Sequence, residues 1–377
     1  MIQILTIIGA RPQIIKAAAI SRAIHNHFSE SITEHLLHTG QHYDENMSEV
    51  FFQELGIPRP TYQLNVGSGS HGAQTALMIQ GIEDILQRNH YDAVLVYGDT
   101  NSTLAGAIAA VKIHVPVVHV EAGLRSFNKA MPEEINRILC DHSSTLLFSP
   151  TKQGIENLYK ENIVHHEKPW SADRPAVFHC GDIMYDNSLH FAKEAANRSQ
   201  ILEKVGVQLG QFFLCTIHRN TNTDDPKLLT EILVGLDAIS EAASTDIVLP
   251  LHPRTKGKLT PEMLKLISKH NRIRIIEPLS FIDMIAMESA CSMVVTDSGG
   301  VQKEAFFFKK PCIILREQTE WVELVENGNA LLTGANSKKM IDAYHALKSR
   351  ENEMTWPDFF GNGQAAQFIC SILLESF

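Results

Sequence analysis

The chain has no uninterrupted apolar run of about 18 residues, which argues against a membrane-spanning helix. It also has no excess of positive charge, because 33 Lys and Arg stand against 43 Asp and Glu in 377 residues, a formal net charge of −10. This balance argues against nucleic acid or an anionic membrane as the main partner. The segment Met1–Ile8 has no basic start and predicts a first strand, not a signal peptide, so we expect a cytoplasmic protein.

Common metal and redox motifs are also missing. None of the six cysteines lies in a Cys-x-x-Cys pair, which predicts buried, reduced thiols. The 18 histidines include no His-x-x-x-His or His-Glu-x-x-His spacing on a helical stretch, so no metal site is predicted. No Gly-x-Gly-x-x-Gly turn follows the first strand, so a dinucleotide cofactor is not indicated.

Short continuous apolar runs alternate with longer helical segments, as in a doubly wound parallel sheet. Strands are predicted in the first half at Gln3–Ile8, His35–Thr39, Asp92–Tyr97, Pro116–Glu121 and Thr145–Ser149. Helices are predicted over Arg11–His25 and Asn101–Lys112. Two more are predicted to begin near Pro132 and after Thr151, which can cap the second of them. Strands are predicted in the second half at Gln211–Ile217, Asp246–Leu251, Arg272–Glu277, Met293–Thr296 and Pro311–Leu315, with a final helix over Gly363–Glu375.

The aperiodic stretch 165–175 contains two prolines and predicts a loop near a domain boundary. We therefore expect an α/β protein with two Rossmann-like, doubly wound parallel-sheet domains that face a cleft. The expected domains are residues 1–170 and 171–360, and residues 361–377 are expected to form a helix that crosses back to the first domain.

Three carboxylates lie where predicted strands end or helices begin. Asp99 and Glu121 follow apolar strands, and Glu133 follows Pro132 in a first helical turn. The carboxyl ends of parallel strands are where α/β sheets bind ligands, so the group suggests acid/base chemistry on a bound anion. We expect partial desolvation of Asp99 and a helix dipole that favours negative charge at Glu133, environments that suit separate acid and base roles. Helix capping by Asp99 and a plain first-turn charge at Glu133 are the alternatives.

Two turns after strands are candidates for phosphate binding. The turn Gly9–Gln13 joins the first strand to the first helix and adds Arg11, although it could simply be a structural turn. The turn Asp297–Gly300 offers the Ser298 hydroxyl and the successive N–H groups of Gly299 and Gly300 to a phosphate. Glu304 follows one helical turn later and could accept hydrogen bonds from ribose hydroxyls. The alternative is that the turn only caps a helix.

Histidine and arginine end two strands of the second half. His218 and Arg219 follow one strand, and His252 and Arg254 follow the next. A single histidine is more often packed than catalytic, but two such ends beside a diphosphate turn favour ligand contact.

These residues together resemble the non-hydrolysing UDP-N-acetylglucosamine 2-epimerases, a family with the two-domain GT-B fold. The resemblance rests on motifs spread over most of the chain: Gly9–Lys16, Thr39–His42, Gly98–Thr100, Val120–Arg125, Pro132–Arg137, His218–Arg219, Pro250–Pro253, Thr296–Gln302 and Phe360–Ala365. It implies an isomerase that needs no cofactor, because UDP leaves C1 as the C2 proton is removed and then returns to the glycal. It also implies a UDP-sugar substrate and a homodimer.

The resemblance assigns roles to residues at matching positions. Asp99, Glu121, Glu133 and His218 match catalytic residues. UDP, diphosphate and sugar contacts are implied for Arg11, Lys16, Arg137, His252, Ser298, Gly299, Gly300, Glu304 and Arg316. Some bacterial members bind a second UDP-sugar through residues that match Gln41 and His42. The loop Val66–Gly72 lacks the accompanying arginine, so we do not expect allosteric activation.

Variant positions point to a subgroup. Gln13, the run Gln41–Met47, and Trp321-Val322 in place of a usual Arg-Pro resemble enzymes that act on UDP-2,3-diacetamido-2,3-dideoxy-glucuronate. Those enzymes form the mannuronate for O-antigen synthesis. The alternatives are UDP-N-acetylglucosamine as substrate, a hydrolysing epimerase, a glycosyltransferase of the same fold, and a non-catalytic nucleotide-sugar-binding protein.

Overall fold

The computed structural model describes residues 1–41, 52 and 55–377, and the chain forms two compact units. The first unit contains Met1–Asn187 and Asp358–Phe377, and the second contains Ser188–Pro357. His42 and most of the run Gln41–Met47 lie outside the described residues.

The first unit is built on a parallel sheet of seven strands. The strands are β1 (Ile2–Ile8), β2 (Ile32–His38), β3 (Tyr62–Gln63), β4 (Ala93–Tyr97), β5 (Val117–Val120), β6 (Leu146–Ser149) and β7 (Ala176–His179). The helices are α1 (Arg11–Ala23, continued by a π-helical turn over Ile24–Phe28), α2 (His71–Arg88), α3 (Asn101–Lys112), α4 (Pro132–Asp141), α5 (Lys152–Lys160) and the start of α6 (Ile183–Arg198). The sheet order is β3-β2-β1-β4-β5-β6-β7.

The second unit repeats this architecture with six parallel strands. The strands are β8 (Phe212–Thr216), β9 (Asp246–Pro250), β10 (Ile273–Ile276), β11 (Met293–Thr296), β12 (Cys312–Ile314) and β13 (Ala330–Leu332). The helices are α7 (Ile201–Val205), α8 (Asn220–Thr223), α9 (Pro226–Ala243), α10 (Pro253–Lys256), α11 (Pro261–Ile267), α12 (Phe281–Ala290), α13 (Gly299–Phe307), α14 (Val322–Glu326) and α15 (Ser337–Ser349), followed by a 3₁₀ turn over Glu351–Glu353. The sheet order is β10-β9-β8-β11-β12-β13.

The predicted α/β class is confirmed, and the apolar runs explain it. All five residues of β4 are buried, as are all four of β11, because helices cover both faces of a parallel sheet. Each sheet has a switch point, where the strand order changes direction, between β1 and β4 in the first unit and between β8 and β11 in the second. Ligands of such folds bind at the carboxyl ends of the strands beside the switch point.

The units divide after residue 187 instead of residue 170. Strand β7 follows the loop 165–175, yet it pairs with β6 and completes the first sheet. Residues 358–377 also belong to the first unit, where helix α16 (Ala365–Ser376) packs against α1.

Asp186 holds the beginning of α16. Its carboxylate accepts hydrogen bonds from the backbone N–H groups of Ala365 (3.1 Å) and Ala366 (2.9 Å). Burial raises the pKa of Asp186 to about 6, despite these two donors. The folded unit therefore binds a proton here more tightly than the unfolded chain, in which an aspartate pKa is about 3.9.

The first prediction concerns pH and stability. The contribution of Asp186 is fully present below pH 4 and is lost as the pH rises through about 6, a change of about 2–3 kcal/mol. Asp186→Asn keeps the side chain neutral, so its thermal midpoint should rise relative to wild type between pH 4 and pH 7. Paired melting curves at four pH values measure this difference. A difference that stays constant with pH would contradict the assignment.

None of the helices in the described part of the chain combines the length and apolar character that a membrane crossing needs. Among residues 1–41, 52 and 55–377, no group of three or more His, Cys, Asp or Glu side chains is placed to hold a metal ion. The six cysteines are free thiols, and all except the half-buried Cys180 are buried.

Candidate active site

Gly98 lies at the centre of the carboxylate cluster in the first unit. It follows β4 at the switch point and has a φ of +63°, a conformation that glycine adopts without strain. A β-carbon at this position would lie 3.1 Å from both the Glu121 carboxylate and the Lys16 ammonium group. The absence of a side chain at Gly98 therefore makes room for the Lys16–Glu121 ion pair.

Glu121 is held in an unusual backbone conformation just after β5. Its φ is +74°, and only 6% of the residue is exposed. The N–H groups of Glu121 and Ala122 both donate to the Phe148 carbonyl at 3.0 Å, which fixes the turn. Left-handed backbone at a non-glycine residue is costly and is often found at functional sites. The fold thus stabilises this position of the carboxylate against a local conformational cost.

Asp99 follows Gly98 and pairs with Arg137 of α4. The Arg137 guanidinium also binds Glu134 at 2.8 Å. Asn136 donates to the Asp99 carbonyl at 2.9 Å, so α4 holds both the backbone and the side chain of Asp99. The Arg137 cation is thus matched by two carboxylates, so these pairs fix the side chains at this sheet edge without adding net positive charge.

The first turn of α4 gives its two glutamates different environments. Glu133 is exposed, whereas Glu134 is 1% exposed. Burial opposes ionisation of Glu134, but donors on Ser126 and Phe127, together with Arg137, outweigh burial and lower its pKa. Glu134 therefore anchors the preceding loop, and Glu133 remains accessible to a ligand.

The buried side chain of His119 contacts both a carboxylate and the backbone just before Asp99. His119 Nδ1 lies 2.6 Å from Asp141 Oδ1, and Nε2 lies 2.8 Å from the Gly98 carbonyl. Burial lowers the pKa of His119, but Cys140 and Asp141 overcome it and raise that pKa well above its usual value. The imidazolium donates at both nitrogens, which holds the carbonyl immediately before Asp99.

Gln13 connects the first turn to the end of β4. Its Oε1 accepts from the N–H groups of Gly9 (2.9 Å) and Ala10 (3.2 Å), and its Nε2 donates to the Tyr97 carbonyl at 3.0 Å. The Gly9–Gln13 turn is therefore fixed at the same switch point as Asp99. Arg11 is exposed at the first position of α1.

In the second unit, Asp297 joins the start of the candidate phosphate turn to the segment that begins at His218. Its fully buried carboxylate accepts from the backbone N–H groups of His218 and Arg219 and from Asn222 Nδ2 at 3.0–3.2 Å, and it lies 3.0 Å from His218 Nδ1. Burial opposes its charge, but His218 and the other donors prevail and lower the pKa of Asp297. Asp297 therefore holds the His218 backbone, while 57% of the His218 side chain is exposed to solvent.

The turn itself begins α13. Ser298 Oγ accepts from the Val301 N–H as the helix cap, at 3.4 Å. Trp321 Nε1 donates to the Gly299 carbonyl at 3.0 Å, and the Lys303 ammonium group lies 4.3 Å from the centre of the Trp321 ring. Trp321 therefore holds the glycine turn through the Gly299 carbonyl, and the Gly299 N–H is not used in this contact.

The remaining predicted contacts of the second unit have partners within it. Arg316 binds Glu320 through two hydrogen bonds of 2.8 Å. His252 is exposed and caps α10 by accepting from the Arg254 N–H at 3.3 Å. Glu304 is partly buried near Glu288, whose pKa burial raises well above its usual value, with Glu304 adding to the effect.

The family model for UDP-N-acetylglucosamine 2-epimerases matches residues 24–374. The chain belongs to this family. This epimerase is 45% identical to the UDP-2,3-diacetamido-2,3-dideoxy-D-glucuronate 2-epimerase of Pseudomonas aeruginosa, over 99% of each chain. It is 43% identical to a UDP-N-acetylglucosamine 2-epimerase homolog of Methanococcus maripaludis, over 98% of this chain and 99% of the relative.

The solved structures agree with this membership. This epimerase resembles the Methanocaldococcus jannaschii UDP-GlcNAc 2-epimerase, crystallised in complex with UDP-GlcNAc and UDP, with a TM-score of 0.83 and 39% identity. The match covers 99% of this chain and 100% of that chain. The predicted family, the GT-B fold and the isomerase class are therefore confirmed.

The candidate residues of this epimerase form one cluster in each unit. In the first unit, the Lys16–Glu121 pair lies beside Gly98, and Asp99, the next residue, pairs with Arg137. In the second unit, Asp297 directly precedes the glycine turn and its carboxylate contacts His218. Sequence reasoning used Gln13 only as a subgroup marker and Asp297 only as the start of a turn. It gave no role to His119, Glu134, Asn136 or Asp141. Only Asp297 carried a usable signal, because an aspartate directly after a buried strand and before Ser-Gly-Gly is placed to organise the turn.

The candidate second-site residue Gln41 of this epimerase has a structural partner. Its Oε1 accepts from the Ser102 N–H (3.1 Å) and hydroxyl (2.7 Å) at the beginning of α3. His71 begins α2, and its Nδ1 lies 3.1 Å from Asn101 Nδ2, also at the beginning of α3. Gln41 thus binds the first turn of the helix that follows Asp99.

Proposed function

We propose that this epimerase inverts C2 of UDP-2,3-diacetamido-2,3-dideoxy-glucuronate to give the mannuronate. The three candidate carboxylates of the first unit carry the proposal, since C2 inversion needs proton transfer on two faces of one carbon. Asp99 and Glu121 lie just after β4 and β5, and the exposed Glu133 lies in the first turn of α4. The choice of substrate rests on the relative with 45% identity, which is named for this sugar.

The chemistry proceeds by elimination and re-addition. A carboxylate removes the C2 proton, the C1–O bond breaks, and its electron pair leaves with UDP to give a glycal. Return of a proton to the other face of C2, with attack of UDP at C1, gives the epimer. We assign proton transfer to Asp99, Glu121 and Glu133, each worth about 10²–10⁴-fold when well placed.

The second unit supplies the groups for the leaving diphosphate. We assign its binding to His218 and the turn Ser298–Gly300, where N–H groups at a helix start favour an anion. Arg11 and Lys16 add cationic donors in the first unit. The remaining contacts proposed from the family are Arg137, His252, Glu304 and Arg316, with Gln41 and His42 at a second nucleotide-sugar position.

Turnover in D₂O tests the reaction, and this is the second prediction. The epimer should carry deuterium at C2, because the proton that returns comes from an enzyme group in exchange with solvent. Mass spectrometry and proton NMR of the product measure it. Epimer formed without C2 deuterium would rule out the elimination mechanism.

A substrate comparison separates the candidate functions. UDP-N-acetylglucosamine is the second candidate, because the relative with 43% identity carries that name. The diacetamido-glucuronate should give the higher kcat/KM. Release of UDP in step with free sugar would indicate a hydrolysing epimerase, and dependence on an acceptor sugar would indicate a glycosyltransferase. Tight UDP binding without turnover would indicate a binding protein.

The proposed function carries three further expectations. The product would serve O-antigen or other surface polysaccharide synthesis, the enzyme would work in the cytoplasm, and it would form a homodimer. Light scattering of the purified protein tests the last of these.

A further inference from the structure

Phe127 combines two properties that seldom occur together. It is a bulky aromatic residue with a φ of +57°, and 75% of it is exposed to solvent. L-residues with large side chains rarely adopt left-handed backbone, and glycine would fit this turn without strain. A residue that is three-quarters exposed adds little packing to the unit, so the stability of the unit gives little reason for phenylalanine here.

The strained turn is held by a buried carboxylate. Glu134 accepts three hydrogen bonds of 2.9 Å, from the Ser126 N–H, the Ser126 hydroxyl and the Phe127 N–H. Asn128 closes the loop further, since its carbonyl accepts from the Met131 N–H at 3.0 Å. The loop therefore fixes the Phe127 backbone.

The same carboxylate ties the loop to the candidate catalytic residues. Glu134 Oε2 binds Arg137 at 2.8 Å, and Arg137 in turn pairs with Asp99. Glu133 is the residue next to Glu134 and is exposed. An unbroken chain of contacts therefore runs from the Phe127 N–H to the Asp99 carboxylate.

We infer that Phe127 is a specificity-determining residue whose ring packs against the acetamido-bearing hexose of the substrate. The inference rests on the proposed function, because it assumes that the sugar lies beside Asp99 and Glu133. A neutral, flat ring suits the apolar C–H face of a sugar and the methyl group of an acetamido substituent, and burial of the exposed ring would favour binding.

Binding measurements with Phe127→Gly, the third prediction, test the inference. The variant should weaken affinity for the UDP-sugar about tenfold and leave affinity for UDP within about twofold. Its thermal midpoint should equal or exceed that of wild type, because glycine relieves the strained φ. Phe127→Tyr keeps the ring and should retain wild-type affinity within about twofold. Isothermal titration calorimetry with each ligand gives these values without requiring turnover.

His114→Gly is the matched control. His114 is also exposed with a positive φ, +64°, but it lies in the loop before β5, at the opposite end of that strand from Glu121. The thermal midpoint of His114→Gly should likewise equal or exceed that of wild type, and its affinities for the UDP-sugar and for UDP should be unchanged.

The outcomes separate this inference from the proposed function. Wild-type UDP-sugar affinity in Phe127→Gly would overturn the inference, as would an equal loss of UDP affinity. A change only in oligomer size, with unchanged affinity, would also overturn it and assign the ring to self-association. Failure of the wild-type enzyme to epimerise any UDP-sugar would refute the proposed function instead.

Discussion

Glu121→Gln is expected to lower kcat for epimerisation by about 10²–10⁴-fold, the usual contribution of a well-placed acid/base group. Glutamine has nearly the same shape as glutamate and should pay the same conformational free energy at a φ of +74°. The turn after β5 should therefore be kept. What is lost is the carboxylate to which we assign proton exchange with C2. Steady-state kinetics, together with the rate of C2–H exchange in D₂O, measure the effect, and both rates should fall together.

Two controls separate chemistry from folding. The change leaves the largely buried Lys16 without its carboxylate partner, so the double variant Lys16→Met/Glu121→Gln shows how much of any loss in thermal midpoint comes from that unpaired cation. Glu194→Gln removes an exposed partner of Arg198 and should leave kcat unchanged. Wild-type kcat in Glu121→Gln would remove Glu121 from the mechanism.

Asp141→Asn is expected to destabilise the first unit by about 3–5 kcal/mol, because it leaves buried cations without their counter-charge. Asp141 is 1% exposed and lies 2.6 Å from His119 and 2.7 Å from Arg125, and it accepts from the Gly123 N–H at 3.1 Å. Burial disfavours its charge, but His119 and Arg125 outweigh burial and lower its pKa. Chemical denaturation followed by circular dichroism measures the loss.

The pH dependence of this variant has a definite sign. Because the pKa of Asp141 is lowered on folding, its stabilisation is fully present above the unfolded pKa of about 3.9 and is lost as the pH falls through the folded value. The gap in stability between wild type and Asp141→Asn should therefore narrow below pH 4. Glu161→Gln removes a more exposed partner of Arg125 and should cost about 1 kcal/mol. A loss under 1 kcal/mol in Asp141→Asn would refute the role of this buried group.

Local sequence patterns predict most of this fold well. Helix α3 and strand β11 have the predicted bounds, Asn101–Lys112 and Met293–Thr296. Thr151 caps α5 as predicted, by accepting from the Gly154 N–H at 3.2 Å. In these segments the apolar run or the capping residue belongs to the element itself, so no distant contact is needed to specify it.

The elements that were missed depend on distant partners. Strands β3, β7 and β13 have two to four residues each, too few for a clear pattern, and each becomes a strand by pairing at a sheet edge. The same limit applies to the site. Sequence reasoning proposed Asp99 as a site residue, but its pairing with Arg137 joins residues 38 positions apart, and the His119–Asp141 contact spans 22. The neighbouring Glu133 and Glu134 have the same chemistry, and only the folded loop before α4 distinguishes them.

The split composition of the first unit constrains how the chain is made. The second unit is one continuous segment, Ser188–Pro357, so it needs no residue from elsewhere in the chain to complete its own sheet. The first 187 residues leave the ribosome earlier but lack the surface of α16 that covers α1 until Ala365–Ser376 has been synthesised. The half of the protein that carries the carboxylates is therefore translated first and completed last.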